Sequence, residues 1–329
     1  MNKYSFKWFL QLIALCLLVL ASAASQAASA YPGGPIRLVI PFPPGGPTDI
    51  IARELGARLG KNWNVPVIVD NRPGGNSFIA TEHVARSPAD GYTLLLAFFG
   101  TLVVNPSLYK QLPYDPVKDF APVTTIATLP LMLVVPPDSP IHSIQDLVRL
   151  SKEKPNRFSF ASGGIGQGAH LAGELLMNMT GIKMSHVPYK GNSQAVTDVL
   201  GGHVDMIFDG MTSSLPSVKA GKLRAVAVST LSRAKALPDL PTVAESGIPG
   251  FDVGSWFGLL APAHTPKPIV DKLNAELTAI IKSPDMQKVF DTQGLTPSPS
   301  SPQQFAALIQ SETKKWAKVV KDAHITVEQ

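Results

Sequence analysis

Cysteine is almost missing: the 329 residues hold one, Cys16, inside an apolar N-terminal stretch. A chain that starts after that stretch has no thiol, which excludes disulfides, thiolate nucleophiles and cysteine–zinc sites. Charged residues make up 16% and aromatics 7%. The basic residues are scattered, with no Lys/Arg run interleaved with aromatics, so nucleic acid is not an expected partner. The seven histidines show no His-x-x-x-His spacing. Gly-x-Ser-x-Gly and the Walker-type phosphate loop are also absent, which removes the usual signatures of zinc enzymes, serine hydrolases and P-loop proteins.

The apolar stretch reads as a secretory leader. Lys3 and Lys7 precede the run Phe9 to Leu20, and the small residues Ala21 to Ala30 follow. The run is short of the ~20 apolar residues that span a bilayer. Cleavage is expected after Ala28-Ser29-Ala30, giving a periplasmic chain that starts at Tyr31. Leu15 stands where a lipoprotein signal needs a small residue before Cys16, so no lipidation is expected. Setting aside the two leader lysines takes the formal charge from +5 to +3. That weak positive field favours anions or simply aids solubility.

Beyond the leader, apolar strand-like runs alternate with helical periodicity, punctuated by 26 glycines and 30 prolines. The pattern predicts strands at Ile36–Ile40, Val65–Val69 and Tyr92–Ala97, with helices at Thr48–Leu59 and Ser77–Arg86 between them. A second set has strands at Leu131–Val135, Phe158–Ala161, Ser185–Val187, Asp205–Phe208 and Arg224–Ser229. Its helices are Ser143–Glu153, capped by Ser143, Gly168–Met179, stopped by Gly181, and Ser193–Gly201. The tail is helical over Ile269–Ile281, Pro284–Thr292 and Gln303–Val320. Such alternation predicts an α/β fold with a mainly parallel sheet. Each set runs strand, Gly-rich bend, helix, and a cleft between two such units would bind ligand beyond the strand C-termini.

Six segments in order carry a resemblance: Tyr31-Pro32 with Pro35 through Asp49; Val69-Asp70-Asn71-Arg72-Pro73-Gly74-Gly75; Tyr114 through Phe120; His170-Leu171-Ala172-Gly173-Glu174-Leu175; His186-Val187-Pro188-Tyr189-Lys190-Gly191; and Leu237 through Gly247. Together they resemble the periplasmic receptors of tripartite tricarboxylate transporters, the Bug-type solute-binding proteins, over nearly the whole mature chain. The resemblance implies a two-lobed, type II-like Venus-flytrap fold with two crossover segments, near Leu131 and near Val253 to Leu260. Residues 31–130 plus 253–329 would form one discontinuous lobe and 131–252 the other. It also implies a monomeric, cofactor-free receptor that takes a small carboxylate at two Gly-rich loops and delivers it to an inner-membrane permease.

Those loops suit the task. A carboxylate needs several converging N–H donors, a helix N-terminus supplies unpaired ones, and glycine lets backbone approach. One jaw is expected at Gly45, Gly46, Pro47, Thr48 and Asp49, and the other at Ser162, Gly163, Gly164, Gly166 and Gln167. Added bulk at Gly46 or Gly164 is expected to abolish binding. Phe42 and Phe99 either line the cleft or belong to the core. Asp209 either accepts a ligand amine or ties down a loop. Tyr189 is expected to face the cleft, and His170 reads as structural. Phe98-Phe99 and Gly210 depart from the residues expected of relatives; the first is expected either to narrow the far end of the pocket or to render it apolar, and the second to remove one hydrogen-bonding group. The competing reading is a nucleotide-binding oxidoreductase, because Gly164, Gly166 and Ala169 fit a loose dinucleotide fingerprint. That reading needs an acid at the end of the next strand, where Ser185-His186-Val187-Pro188-Tyr189 has none.

Overall fold

The computed structural model describes residues 31–189, 191–323 and 325–326. The leader with its Cys16, and Lys190, lie outside the described residues.

The chain begins with strand β1 (Ile36–Ile40), helix α1 (Pro47–Trp63), β2 (Val67–Asn71), α2 (Phe78–Ala85) and β3 (Thr93–Phe98). A π-helical turn, Gly100–Val104, and the short α3 (Asn105–Leu108) lead to β4 (Phe120–Val135). The central section is α4 (Ile144–Glu153), β5 (Ser159–Ser162), α5 (Gly168–Thr180), β6 (Ser185–Pro188), α6 (Asn192–Leu200), β7 (Met206–Gly210), α7 (Met211–Lys219) and β8 (Arg224–Val228). The last section is β9 (Gly254–Pro262), α8 (Lys267–Lys282), α9 (Pro284–Thr292), β10 (Thr296–Pro297) and α10 (Pro302–Asp322).

Helix ends follow local chemistry. Ser143 accepts from Asp146 N and Ser283 from Met286 N, while Ser301 and Gln304 form a reciprocal capping box. Gly181 ends α5 in the left-handed region at φ 71°, where a side chain would be strained.

Strand order is β2-β1-β3-β9-β4-β7-β5-β6, with β8 and β10 also paired to β4. The sheet is mixed rather than mainly parallel. β1 pairs in parallel with β2 and β3, and β5 with β6 and β7. Every pairing of β4 and β9 is antiparallel. Alternating strands and helices cannot reveal this, because β9 enters from the far end of the chain.

β4 organises the molecule. Its 16 residues extend roughly 50 Å at ~3.3 Å per residue. From Phe120 to Pro130 it pairs with β9, Pro130 lying opposite Gly254. From Leu131 onward its partners are β7 and β8. Buried side chains follow the same division. Leu38, Ile51, Leu273 and Phe290 pack in one cluster with β1, α1, α8 and α9. Met132, Ala195, Ile207 and Leu223 pack in another. A third joins Phe99, Phe160, Phe208, Trp256 and Trp316 along the middle.

Candidate functional site

β1 and β5 each end in a Gly-rich bend that opens a helix, and neither helix has a side-chain cap. The first-turn N–H groups of α1 and α5 are therefore left without a side-chain acceptor, next to the positive end of each helix dipole.

In the first bend, Asp49 is 4% exposed and fully engaged. Gly45 N donates to Oδ2 at 3.0 Å, Arg53 donates Nε to Oδ2 and Nη2 to Oδ1, both at 2.9 Å, and Asn71 Nδ2 donates to Oδ1 at 2.9 Å. Asn71 also donates to Phe42 O at 3.1 Å, tying the bend to β2. The Arg53 guanidinium, working against burial and aided by Asn71 and Gly45, holds the Asp49 carboxyl down to about 2. Asp49 thus shapes the bend, and its charge is neutralised by Arg53. Thr48 is buried beside it. Gly46 faces open space, with nothing within 4 Å of an added Cβ.

This pairing has a consequence in acid. The folded pKa is depressed, so the stabilisation is present above the unfolded value of 3.8 and is lost as pH falls toward about 2. Allowing for solvent at the half-exposed Arg53, the contribution is on the order of 1–2 kcal/mol. Asp49→Asn is expected to melt roughly 2–4 °C below the native chain at pH 7. The gap should close between pH 4 and 2. A gap that stays constant in that range would show that the carboxylate charge is not what the native chain uses.

The second bend is anchored from below. Ser162, fully buried, has its Oγ 2.6 Å from His186 Nε2 and accepts from Gly164 N at 3.2 Å. Gly166 N donates to His170 Nδ1 at 3.0 Å. The Gln167 side chain folds back over the loop: a Cβ on Gly163 would lie 3.0 Å from its Oε1, and one on Gly164 3.4 Å from its Nε2. Gly163 also abuts the start of α6, where an added Cβ would lie 2.1 Å from Asn192 Oδ1 and 2.8 Å from Asn192 N. Gly166 abuts α3, an added Cβ lying 2.5 Å from Leu108 Cδ1.

The remaining predicted residues divide between cleft loops and core. Phe42 is half-buried and meets Phe98 edge-on at 5.9 Å. Phe99 is 1% exposed, turned by the π-helical turn into the core against Phe98 and Trp316. Phe98, not Phe99, is thus the ring that meets Phe42. Asp209 is fully buried and accepts from Asn192 Nδ2 at 2.9 Å, Ser214 Oγ at 2.6 Å and Ser213 Oγ. Those bonds tie the starts of α6 and α7 together. The Tyr189 hydroxyl donates to Asp198 at 2.7 Å, which pushes the phenol up to about 12, and its N donates to Ser162 O at 2.9 Å. Its polar groups therefore brace the second bend.

Three features escaped the sequence. Asn192 Oδ1 is buried with no partner among the described residues. Leu108 bridges to the second bend. His170 and His186 stack at 3.9 Å with 14° between their planes, beside Phe160. A crevice of about 230 Å³ between Pro130, Met211, Lys235 and Asp291 holds none of the predicted residues. The bends, with their uncapped N–H groups, carry the chemistry.

Residues 51–325 match the tripartite tricarboxylate transporter family receptor. The chain belongs to that family. It is 37% identical over 314 residues to the protein BugT of Bordetella pertussis, covering 95% of this chain and 96% of BugT. Rpa4515 of Rhodopseudomonas palustris, solved with adipate, is similar at 36% identity and a TM-score of 0.76, covering 90% of this chain and all of that one. MatC of the same organism, solved with bound malate, is similar at 31% identity and a TM-score of 0.71, covering 88% of this chain and all of MatC. The chain is thus a tripartite tricarboxylate transporter family receptor with the α/β fold of periplasmic binding proteins, a class of solute-binding receptors. Among the described residues, no helix is long and apolar enough to cross a membrane.

Proposed function

We propose that this chain is a periplasmic, monomeric receptor that closes two lobes on a small carboxylate and delivers it to a tripartite tricarboxylate-type permease. The lobes are residues 31–130 with 253–329, and residues 131–252. Support comes chiefly from one arrangement: two Gly-rich bends lead into uncapped helix N-termini, and the second bend already touches the opposite half through Leu108 and Gly166. Backbone N–H groups of both bends would meet the carboxylate oxygens, with Gly45, Gly46, Thr48, Gly163, Gly164, Gly166 and Gln167 around them. Phe42 would border the first bend. Ser162, Asp49, Tyr189 and Asp209 hold the bends in shape, and Phe99 fills the core behind Phe98.

Neutral donors also suit release. Ligand contacts made only in the closed state shift the open–closed equilibrium, and reopening breaks no buried ion pair. Solved relatives with adipate and malate make dicarboxylates the first class to try.

The test is a melting-temperature panel on residues 31–329, refolded to remove carried-over ligand. It contains adipate, malate, citrate, aromatic carboxylates, acidic amino acids, nicotinate, NAD and non-acidic controls. A ligand present at ~100 times its dissociation constant stabilises by ~2.7 kcal/mol, a shift of several degrees. A shift confined to one carboxylate class is expected. A shift with NAD alone would replace this reading with a nucleotide-binding one.

A further inference from the structure

The second bend is held at both ends by one pair of rings. At its start, Ser162 Oγ meets His186 Nε2 at 2.6 Å. At its far end, Gly166 N–H points at His170 Nδ1. The two imidazoles lie face to face, 3.9 Å apart, and both stack near-parallel with Phe160. His186 sits opposite Phe160 in the β5–β6 register. His170 comes from the first turn of α5, one turn from Gly173, which leaves room for Phe160: a Cβ there would lie 2.3 Å from the Phe160 ring. None of these contacts requires a ligand.

The hydrogen-bond pattern fixes the state of one ring. A nitrogen that accepts a backbone N–H carries a lone pair, so His170 Nδ1 is unprotonated and its proton lies on Nε2. Nε2 faces Glu174 Oε1 at 3.4 Å.

We propose that His170 is a positioning residue for the ligand-binding bend: its Nδ1, with the ring braced against His186 and Phe160, holds the Gly166 N–H in place and so keeps the bend in its ligand-binding shape. The proposal rests on the ligand-binding reading of this bend.

The surroundings keep the pair in place. Phe160 from β5 completes the ring stack. Burial first, and His170 second, push His186 down to about 3. His186 therefore stays neutral near neutral pH, and its contact with Ser162 is kept.

Three proteins decide the matter: the native chain, His170→Asn and His170→Leu. Asparagine puts a carbonyl oxygen near the place of Nδ1, while leucine offers no acceptor. Adipate affinity is measured by calorimetry at pH 7.5, and amide hydrogen exchange at Gly166 is measured without ligand. His170→Asn is expected to bind within ~3-fold of the native chain, and His170→Leu at least ~10-fold more weakly. Gly166 should be protected in the native chain and in His170→Asn, and unprotected in His170→Leu. The exchange result does not depend on the ligand. If adipate binds none of the three yet Gly166 follows this pattern, the anchor stands and the carboxylate reading fails. Equal Gly166 protection in His170→Leu, or a loss of affinity in His170→Asn as large as in His170→Leu, would overturn the proposal.

Discussion

Gly163→Ala is expected to cost roughly 100-fold in carboxylate affinity while Gly46→Ala leaves the fold untouched. The two glycines sit in equivalent bends, yet their surroundings differ. Gly46 has φ −81° and open space where a methyl would go, so alanine fits without strain. Gly163 has no such room. The methyl would sit 2.1 Å from Asn192 Oδ1 and 2.8 Å from Asn192 N. The backbone N cannot step aside, because it opens α6. The side chain cannot either, because its Nδ2 is held by buried Asp209. The bend itself must move, and in the proposed site its N–H groups would no longer converge with those of α1. Losing two hydrogen bonds to a charged ligand, at ~1.5 kcal/mol each, gives about that factor. Calorimetry with the best ligand of the panel checks it. Equal losses at Gly163 and Gly46 would mean that a methyl in the cleft, not a displaced bend, is responsible. Bulk at Gly46, expected from sequence alone to abolish binding, finds no obstacle in the protein itself, so its effect depends on how closely the ligand approaches.

Local chemistry made much of the fold readable. Ser143 and Gly181 mark helix ends by their own hydrogen bonding and φ preference, and α9 spans Pro284–Thr292 as its periodicity predicts. Long-range pairing made the rest opaque. The first half of β4, Phe120 to Pro130, carries two prolines and two register shifts and is buried on both faces for most of its length, so no alternation marks it. β9 is buried at eight of its nine positions and read only as a crossing segment. α7 contains Pro216 and four hydroxyl residues, poor helix formers. It forms where Ser213 and Ser214 satisfy Asp209.

The site shows the same divide. Both bends were legible, since a strand, glycines and a helix start are contiguous in sequence. What shapes them was not. His170 and His186 lie 16 residues apart on different elements, and only the β5–β6 register brings the rings together. Phe99 was ambiguous because residue type does not say which way a chain turns after a strand. The π-helical turn sends it inward and leaves Phe98 beside Phe42.

Ser229→Ala is expected to lower stability by ~2–4 kcal/mol, or roughly 3–7 °C in melting temperature. Ser229 follows β8 and is fully buried where both crossover strands pass. Its N donates to Leu131 O at 2.8 Å and its Oγ accepts from Leu131 N at 3.1 Å. Its hydroxyl proton goes to Val253 O, while Val253 N donates to Ser229 O at 2.8 Å. Alanine keeps the two bonds made by Ser229 backbone but leaves the Leu131 N–H and the Val253 carbonyl unpaired away from water. A melt of the variant beside Ser229→Cys, which keeps the shape with a weaker donor, should place cysteine between the two. A shift below ~1 °C for alanine would mean that the strands hold without this clasp. The clasp also constrains motion. With Leu131 and Val253 pinned to one residue, rotation of the proposed lobes must be taken up just before it, at Pro130 and Gly254, which face each other across β4 and β9. Gly254 is already tight there, an added Cβ lying 2.9 Å from Thr128 Cγ2. Loosening the clasp should therefore weaken ligand binding along with stability, because energy gained on closure would be spread over a softer pivot.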